Sequence, residues 1–587
     1  MIEEIVALGK ANFPPLFFQH PGTKYALVIE FKTLNGKLNY EKISIEEISE
    51  NNLQRYMYRE GPSRSYDFTP SSKLQPKKIM NTISRIIRWS KDNQHIIPGL
   101  YEALENSKDR IKKEIEDKIK GEKKPSYLLT VKIDGKYPSE ILPKDFLKNR
   151  MIQRCERYEN YSSSGDGRCA ICGKKDKLYG LTLPAIGFAF YTVDKLGFAP
   201  DFSQKNSWKQ IPLCENCSLF LEAGREFLDN YLRINSGLGF FFYIIPSFLL
   251  KEERAIKSFV EKIEKIRKFS GNSLEKLRGL ISKEDSIYDL VEGESDSLRL
   301  NLLFFLEKQE RFLILTYVQN LKPSWLRRIY EVQKEIMKEQ IFSEEIMNDI
   351  FGPKKGGNFF KRFKGAEASG YVKIRDNYIS WWILFLQEIF SQREFVEITS
   401  LILQKRKISY KFILHQVSLF LQDSFKKQRN LSIDTLTTFS LYLFLNKLNL
   451  LKGDVMEKED EIFSNNERKY AFLIGALANY VINIQAKERN CKPWEAPFRQ
   501  KFNSLVIDQK RLKKIFKECI EKLNQYRQPL PSWLPKNLAE VLNTSEKWKS
   551  SIDEISYFFT LGLVLGSCLF KDKEQNDNNK GDENGGE

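Results

Sequence analysis

Two short stretches decide how this chain is organised: RCAICGKK at residues 168–175 and PLCENCSLF at residues 212–220. Each contains a Cys-x-x-Cys pair, Cys169 with Cys172 and Cys214 with Cys217. Two such pairs in one chain are typical of a zinc ion held by four thiolates. A zinc ion with four sulfur ligands has no vacant position for water or substrate, so we expect the site to stabilise a fold and not to catalyse. A dithiol redox pair and thiols without a metal are the alternatives.

The spacing of the two pairs predicts a small zinc subdomain. A gap of 41 residues separates Cys172 from Cys214, which is longer than the gap in a compact zinc ribbon. Gly173 follows the first pair, as a tight turn requires. The other four of the 8 cysteines are scattered, which favours metal binding in a reducing compartment over a disulfide framework. A cytoplasmic location is therefore expected.

The composition indicates a folded and basic protein. At 587 residues the chain exceeds the size of a single core, and its 13% aromatic content is unlike that of a disordered chain. The net charge of +17 favours a polyanionic partner, and nucleic acid is the commonest one, although a Lys-rich thermophilic composition would give part of the same signal. The acidic start and the shortness of the apolar runs argue against a secretory signal and against contact with a membrane.

The residue pattern predicts an α+β fold that is mostly helical. The alternating segment YALVIEFKTLNGKLNYEKISI contains Asn35-Gly36, the strongest short signal for a β-hairpin. A second strand is predicted at Tyr127–Ile133, closed by a turn at Asp134 and Gly135. Apolar stripes at helical spacing predict helices, for example at residues 77–89, 255–269 and 379–390.

Composition shifts divide the chain into five segments. They are an α/β N-terminal region at 1–150, a zinc subdomain at 151–225, a mostly helical middle region at 226–450, a C-terminal helical bundle at 456–570, and a disordered acidic tail at 571–587. In the helical bundle, Gly475, Gly562 and Gly566 lie inside apolar helical runs, where glycine costs stability. We therefore expect these glycines to allow two helices to approach closely.

The sequence offers no catalytic constellation that we recognise. It has neither a phosphate-binding loop of the GxxxxGK[ST] type nor a GxSxG nucleophile turn, and its three histidines have no second histidine at a metal-binding spacing. Most acidic residues alternate with lysine, as on solvated helix faces. We therefore expect a protein that is not an enzyme. The alternatives are a zinc-containing nuclease with unrecognised carboxylates and an interaction protein from a Lys-rich proteome.

Two segments are candidates for contact with nucleic acid, because both combine basic and aromatic residues. The Gly-rich segment 352–370 carries basic residues among Phe359, Phe360 and Phe363. The N-terminal segment 55–66 is rich in Arg, which suits contact with base edges. The simpler alternative for each segment is a solvated loop. The candidate residues are Arg55, Tyr56, Arg59, Arg64, Lys354, Lys355, Lys361, Arg362 and Lys364.

Several stretches together give the chain a resemblance to the zinc-binding large subunit of the type I-B CRISPR surveillance complex, Cascade. They occur in the family's order and cover most of the chain, and the most specific is the cysteine segment around FYTVDKLGF. The stretches are YALVIEF, LQRYMYREGPSRSYDFTPSSKL, YLLTVKIDGKYP, CAICG and PLCENC on either side of FAFYTVDKLGF, and AFLIGALANYVINIQ.

The resemblance implies a non-catalytic subunit of an RNA-guided DNA-binding complex in antiviral defence. Its expected partners are a guide RNA, target DNA, the other Cascade subunits and a helicase–nuclease, and its expected task is recognition of the protospacer-adjacent motif. The resemblance also implies a C-terminal region similar to the small subunit. Some relatives make that region separately from an internal start, and Met456 is the candidate start here.

Overall fold

The computed structural model describes residues 1–11, 18–49, 51–61, 66–120, 126–158, 161–188, 196–235, 239–249, 253–268, 298–308, 311–351, 371–374, 377–453, 465–502, 504–539, 541 and 548–569. The chain folds into two compact units. The first comprises Met1–Asn230, Glu252–Glu261 and Lys308–Phe312, and the second comprises Tyr231–Lys251, Lys262–Glu307 and Leu313–Glu587.

The helices of the described residues fall in both units. They are α1 (Ile2–Ala11), α2 (Leu53–Tyr56), α3 (Ile79–Asp92), α4 (Leu100–Ile119), α5 (Pro138–Ile141), α6 (Phe146–Glu156), α7 (Thr182–Ala185), α8 (Glu215–Phe227), α9 (Glu253–Lys268), α10 (Pro323–Met337), α11 (Glu344–Phe351), α12 (Trp381–Ile389), α13 (Gln392–Leu403), α14 (Tyr410–Lys426), α15 (Leu431–Lys447), α16 (Asn466–Glu488), α17 (Pro497–Gln500), α18 (Gln509–Gln525), α19 (Trp533–Ala539) and α20 (Ile552–Leu569).

The strands of the described residues form small sheets. They are β1 (Tyr25–Leu34), β2 (Lys37–Glu47), β3 (Ser72–Leu74), β4 (Tyr127–Ile133), β5 (Arg157–Tyr158), β6 (Tyr161–Ser162), β7 (Ser164–Arg168), β8 (Lys175–Tyr179), β9 (Leu213–Cys214), β10 (Arg233–Asn235), β11 (Phe241–Phe248), β12 (Leu298–Lys308), β13 (Arg311–Leu321), β14 (Tyr371–Ile374), β15 (Asn377–Ser380), β16 (Ile408–Ser409) and β17 (Leu451–Lys452).

The first unit is built on a four-stranded mixed sheet in the order β2-β1-β4-β3. Strand β1 pairs antiparallel with β2 and parallel with β4. Its residues are buried on both faces, since Leu27 and Ile29 belong to the core that includes α3 and α4, while Ala26 and Val28 pack with Tyr56 on the other face. A central strand of this kind is necessarily apolar, which explains the sequence YALVIEF.

The local predictions for this sheet are confirmed. Asn35 and Gly36 have φ angles of 51° and 74°, as both central residues of a type I′ hairpin turn require. Strand β4 spans the predicted residues 127–133, and Asp134 and Gly135 form the turn that follows, with φ angles of 48° and 81°. The Asp134 carboxylate accepts hydrogen bonds from the Thr33 backbone N–H at 2.8 Å and from its hydroxyl at 2.7 Å, which fixes this turn against β1.

The second unit contains a four-stranded sheet in the order β10-β11-β12-β13 and is otherwise largely helical. Helices α16 and α20 pack against each other over much of their length. A Cβ atom added to Gly475 would overlap the carbonyl oxygen of Phe559, and one added to Gly562 would overlap that of Phe472. The predicted close approach of two helices at these glycines is therefore confirmed. The mostly helical α+β class is confirmed as well.

Candidate metal centre and nucleic-acid surfaces

The first cysteine pair lies in the turn of a β-hairpin of the first unit. Strands β7 and β8 pair antiparallel, with Ser164 opposite Tyr179 at one end and Arg168 opposite Lys175 at the other. Cys169 directly follows β7. The Cys169 N–H donates to the Lys174 carbonyl at 2.9 Å, and the Gly173 N–H donates to the Cys169 carbonyl at 3.0 Å. Gly173 has a φ of 70°, a conformation that favours glycine. This turn brings Cys172 back towards Cys169.

The second pair reaches the hairpin through strand β9. Cys214 is the register partner of Leu178 on β8, and it is also the residue from which α8 begins. Cys217 lies in the first turn of α8. The Ala170 N–H donates to the Pro212 carbonyl at 2.8 Å. The two halves of the site, separated by 41 residues in sequence, are therefore joined by backbone hydrogen bonds, which bring their sulfurs close together.

The geometry of the four sulfurs fits a tetrahedral zinc ion. All four Sγ atoms lie within 4.8 Å of one another, and the Sγ atoms of Cys172 and Cys214 are 3.7 Å apart. Zn–S bonds of about 2.3 Å would place the sulfurs of a tetrahedron roughly 3.8 Å apart. Cys169, Cys214 and Cys217 are buried, and only Cys172 is exposed. The cluster is therefore compatible with a closed structural metal site.

The surroundings of the cluster favour ionisation of Cys169 and disfavour ionisation of Cys214 and Cys217. Burial raises the pKa of Cys169, but backbone N–H groups, among them those of Cys172 and Cys214, outweigh it and bring the pKa to about 7. Burial raises the pKa of Cys214 to about 11, and the negative charge of Cys169 contributes to this rise. Burial and both neighbouring charges raise the pKa of Cys217 further. Four thiolates therefore need a cation between them.

Trp208 anchors the segment that connects the two cysteine pairs. A Cβ atom on Gly165 or on Gly180 would overlap Trp208, so both positions need glycine for this packing. The Ser163 hydroxyl accepts a hydrogen bond from the Trp208 backbone N–H at 2.9 Å and donates one to the Lys205 carbonyl at 3.0 Å. Trp208 therefore packs against the strands β7 and β8 that carry the first cysteine pair.

Cys155, one of the four scattered cysteines, is separate from the cluster. It is buried at 2% exposure and packs against Tyr179 and Ala185. Burial raises the pKa of its thiol to about 12. It is therefore a neutral core residue.

Three family models, for consecutive domains of CRISPR-associated protein TM1802, match this chain. The N-terminal domain matches residues 1–149, the central domain residues 166–321 and the C-terminal domain residues 382–577. The matches follow the order of the domains and cover most of the chain. The chain belongs to the TM1802 family of CRISPR-associated proteins.

Membership in the TM1802 family supports a role in CRISPR defence. The central-domain match, residues 166–321, contains all four clustered cysteines. No curated protein matches the chain closely enough to serve as a relative. Among the described helices, none has the length and apolar composition that a bilayer crossing requires.

Arg59 of this TM1802-family protein is not on the surface that the sequence predicted for it. Its side chain is 4% exposed, and its guanidinium lies 2.6 Å from the Glu222 carboxylate and 3.7 Å from that of Glu226. Both glutamates belong to α8, the helix that begins at Cys214. The two carboxylates raise the pKa of Arg59 in spite of the opposing effect of burial. The guanidinium therefore holds the N-terminal segment against α8.

Tyr56 is likewise in the core and not in an exposed loop. It ends the short helix α2 at 0% exposure, and its hydroxyl donates to the Glu46 carboxylate at 3.0 Å. The neighbouring Tyr58 is 1% exposed. The expectation of exposed, stacking tyrosines failed because residues 56–59 are all buried. A local pattern of aromatic and basic residues does not distinguish such a buried segment from a surface.

Arg55 is the candidate that the structure leaves exposed. Its guanidinium lies 5.6 Å from the centre of the Tyr137 ring, a cation–π arrangement. Arg64 lies outside the described residues. So do Lys354, Lys355, Lys361, Arg362 and Lys364, the possible start Met456 and the acidic tail.

Helix α18 has a basic face that is not among the candidate segments predicted from the sequence. This helix carries six Lys or Arg against two Asp or Glu, and five of the six lie within its first nine residues. The signal was present as QKRLKKIFK, in which lysines recur three and four residues apart. Aromatic residues do not alternate with these lysines as they do in the two candidate segments 55–66 and 352–370. A pattern that requires both basic and aromatic residues therefore does not indicate this helix.

Proposed function

We propose that this chain is the large subunit of a type I-B CRISPR surveillance complex, and that it binds nucleic acid and partner proteins without cleaving either. The observation that carries the proposal is the match of three consecutive TM1802 domains along the chain. The net charge of +17 supports a polyanionic partner. The candidate metal centre supports a structural and not a catalytic role, since four thiolates close the coordination sphere of zinc.

In this role the chain recognises the protospacer-adjacent motif in target DNA, while base pairing with the guide RNA recognises the rest of the target. Such a division of labour suits a protein that needs only a short base-reading surface and an extended charged surface. The chain also holds the other subunits and offers a docking surface to a separate helicase–nuclease.

We propose that nucleic acid is contacted by the candidate residues that are exposed and by those that lie outside the described residues. Arg55 and Arg64 form the N-terminal candidate surface, and Lys354, Lys355, Lys361, Arg362 and Lys364 form the second. Arg59 and Tyr56 are left out because a buried ion pair and a buried ring would have to be broken to make them available.

We propose that the domains are the segments predicted from the composition of the chain. The zinc subdomain at 151–225 uses Cys169, Cys172, Cys214 and Cys217 to hold the hairpin turn to the start of α8. The C-terminal bundle at 456–570 resembles the small subunit, and Met456 begins a separately made copy. A Met456→Leu substitution should abolish that short product while leaving the full chain. Persistence of the product would contradict the internal start.

The decisive experiment is purification of the full chain from its native host, followed by sequencing of the bound RNA. We expect repeat-derived guide RNA together with other Cascade subunits. The purified complex should bind a duplex that carries a matching target and its flanking motif more tightly than one with a scrambled flank. Copurification without RNA or partners would overturn the proposal, and so would cleavage of DNA or RNA by the chain alone with Mg²⁺ or Mn²⁺.

A further inference from the structure

Helix α18 presents a row of four lysines on its outer face. Lys510, Lys513, Lys514 and Lys517 follow one another at spacings of three, one and three residues, so they lie on one side of the helix. All four are exposed, and Lys514 is 75% exposed. The opposite side of the helix is buried through Leu512, Ile515, Cys519 and Leu523. At 1.5 Å per residue, the row extends for roughly 10 Å along the helix.

Most of this positive charge has no acidic partner. Glu518 lies 4.0 Å from Lys514 and 3.0 Å from Lys501, so one carboxylate serves two lysines. No ion pair of Lys510, Lys513 or Lys517 is found within the described part of the chain. Arg511 differs from the lysines, because its guanidinium donates to backbone and hydroxyl oxygens of residues 501–506.

This arrangement is unfavourable for the helix itself. The N-terminal end of a helix carries partial positive charge, which disfavours cations in the first turns. Like charges three or four residues apart add repulsion, as between Lys510 and Lys514. The first nine residues of α18 nevertheless hold five cations and no acid. Such a cluster of cations, which destabilises its own helix, is expected where the residues serve binding and not stability.

Helix α4 shows how the same chain builds a lysine-rich helix that is merely solvated. It carries five Lys or Arg against six Asp or Glu, arranged so that opposite charges are neighbours. Lys108 lies 2.5 Å from Glu105, and Lys112 lies 3.7 Å from Glu116. The lysines of α18 are segregated from acids, while those of α4 are not.

An exposed aromatic side chain lies in the segment bonded to α18. Lys501, which follows α17, is the residue that pairs with Glu518 of α18. In the turn before α17, Trp494 is 57% exposed, and Lys492 lies 5.2 Å from its ring centre. Lysines combined with an exposed aromatic ring are typical of proteins that bind single strands, because lysine neutralises phosphates and the ring stacks on a base.

We propose that the lysine face of α18, with Lys510, Lys513, Lys514 and Lys517, binds the phosphate backbone of single-stranded DNA. The inference rests on the proposed function, in which an unpaired DNA strand is present. It adds a third contact surface, in the C-terminal helical region and independent of the two candidate segments 55–66 and 352–370.

The test compares two full-length variants of equal charge change. In one, Lys510, Lys513, Lys514 and Lys517 are replaced by Gln. In the control, four lysines of α4 are replaced by Gln instead: Lys108, Lys112, Lys113 and Lys118. Fluorescence anisotropy measures binding of labelled 20-nucleotide oligo(dT) and of a 20-base-pair duplex over a series of NaCl concentrations, with the wild-type chain and its purified complex as references.

We expect the α18 variant to bind oligo(dT) at least about tenfold more weakly at low salt. The slope of log affinity against log salt concentration should be smaller in magnitude by about 2 to 3, because each phosphate contact on a single strand contributes roughly 0.7 to that slope. The α4 control should keep the wild-type slope. The thermal unfolding midpoint of the α18 variant should be unchanged or higher, because the substitutions remove repulsion.

Three outcomes would overturn the inference. They are an unchanged salt slope in the α18 variant, an equal loss in the α4 control, and binding of a labelled synthetic peptide of the acidic residues 571–587 without any binding of oligo(dT). If the complex still binds guided target DNA while the α18 variant behaves as wild type, only this inference fails. If neither chain nor complex binds nucleic acid, the proposed function fails with it.

Discussion

The Cα of Gly475 in helix α16 lies against the carbonyl oxygen of Phe559 in helix α20, with no room between them for a methyl group. Gly562 makes the reciprocal contact with the Phe472 carbonyl. A close crossing of this kind brings Cα–H groups to carbonyl oxygens and buries much apolar side-chain surface around it. The glycines thus offset their low helix propensity through the packing that they allow.

A Gly475→Ala substitution should therefore destabilise the second unit. The added methyl group must push α16 and α20 apart, which we expect to lower the free energy of unfolding by about 1–3 kcal/mol. Urea denaturation followed by circular dichroism measures the effect. Gly197→Ala is the control, since a Cβ atom there meets nothing within 4 Å. An equally small effect of both substitutions would contradict the packing described.

The cysteine cluster should contain zinc. We expect the purified chain to contain one zinc ion, and a Cys214→Ser variant to lose it, because serine is a poor ligand for this metal. Elemental analysis by mass spectrometry measures the metal content. Cys491→Ser is the control, since Cys491 is outside the cluster. A wild-type chain that is free of zinc and takes up none when refolded with it would rule out the site.

Buried cysteines should react with a thiol reagent much more slowly than the partly exposed Cys491. Burial raises the pKa of Cys155 to about 12, so at pH 8 only about one thiol in ten thousand is ionised and able to react. Burial also raises the pKa of Cys519. We expect iodoacetamide to modify Cys491 and to leave Cys155 and Cys519 intact, as peptide mapping would measure. Rapid modification of Cys155 in the folded chain would show that its surroundings are open.

Breaking the ion pair between Arg59 and Glu222 should reduce stability and not merely affinity. Arg59→Ala leaves the Glu222 carboxylate with its main partner removed, and we expect a loss of about 3–5 kcal/mol. Thermal unfolding of Arg59→Ala, Glu222→Gln and the double variant measures the coupling. The exposed pair Lys112 and Glu116, 3.7 Å apart, serves as the control and should contribute less than about 1 kcal/mol. A fully stable Arg59→Ala variant with weakened DNA binding would restore the surface role.

The basic segment 352–370 should contribute to DNA affinity through charge. Replacing Lys354, Lys355, Lys361, Arg362 and Lys364 by Ala should flatten the salt dependence of duplex binding by several units of slope. The four-lysine variant of α4 serves as the control, with four positive charges removed against five. An unchanged salt slope would remove this segment from the contact surface.

Features coded by short stretches were predictable from the sequence. The hairpin at Asn35 and Gly36 follows from a two-residue requirement for positive φ, and the helix pairing at Gly475 follows from the cost of glycine in an apolar helix. The gathering of four cysteines followed from the chemistry of a thiolate ligand set.

Features that depend on distant partners were not predictable. Arg59 pairs with a glutamate 163 residues away, and nothing near Arg59 in the sequence indicates that α8 will cover it. Tyr56 is buried for the same reason, since its burial depends on which face of the sheet the segment crosses. The lysine face of α18 became evident only when the ion pairs of the structure distinguished its lysines from Lys108 and Lys112 of α4, which pair with glutamates.

The contact between helices α1 and α8 has a consequence for synthesis on the ribosome. A Cβ atom on Gly9 would overlap the Phe220 carbonyl, and one on Gly224 would overlap that of Ile5, so the first helix of the chain docks on a helix made about 215 residues later. At about 5–20 residues per second, α1 waits roughly 10–40 s for its partner to be translated. We therefore expect nascent chains that end before residue 227 to leave the apolar face of α1 uncovered, and exposed surface of this kind is what chaperones bind.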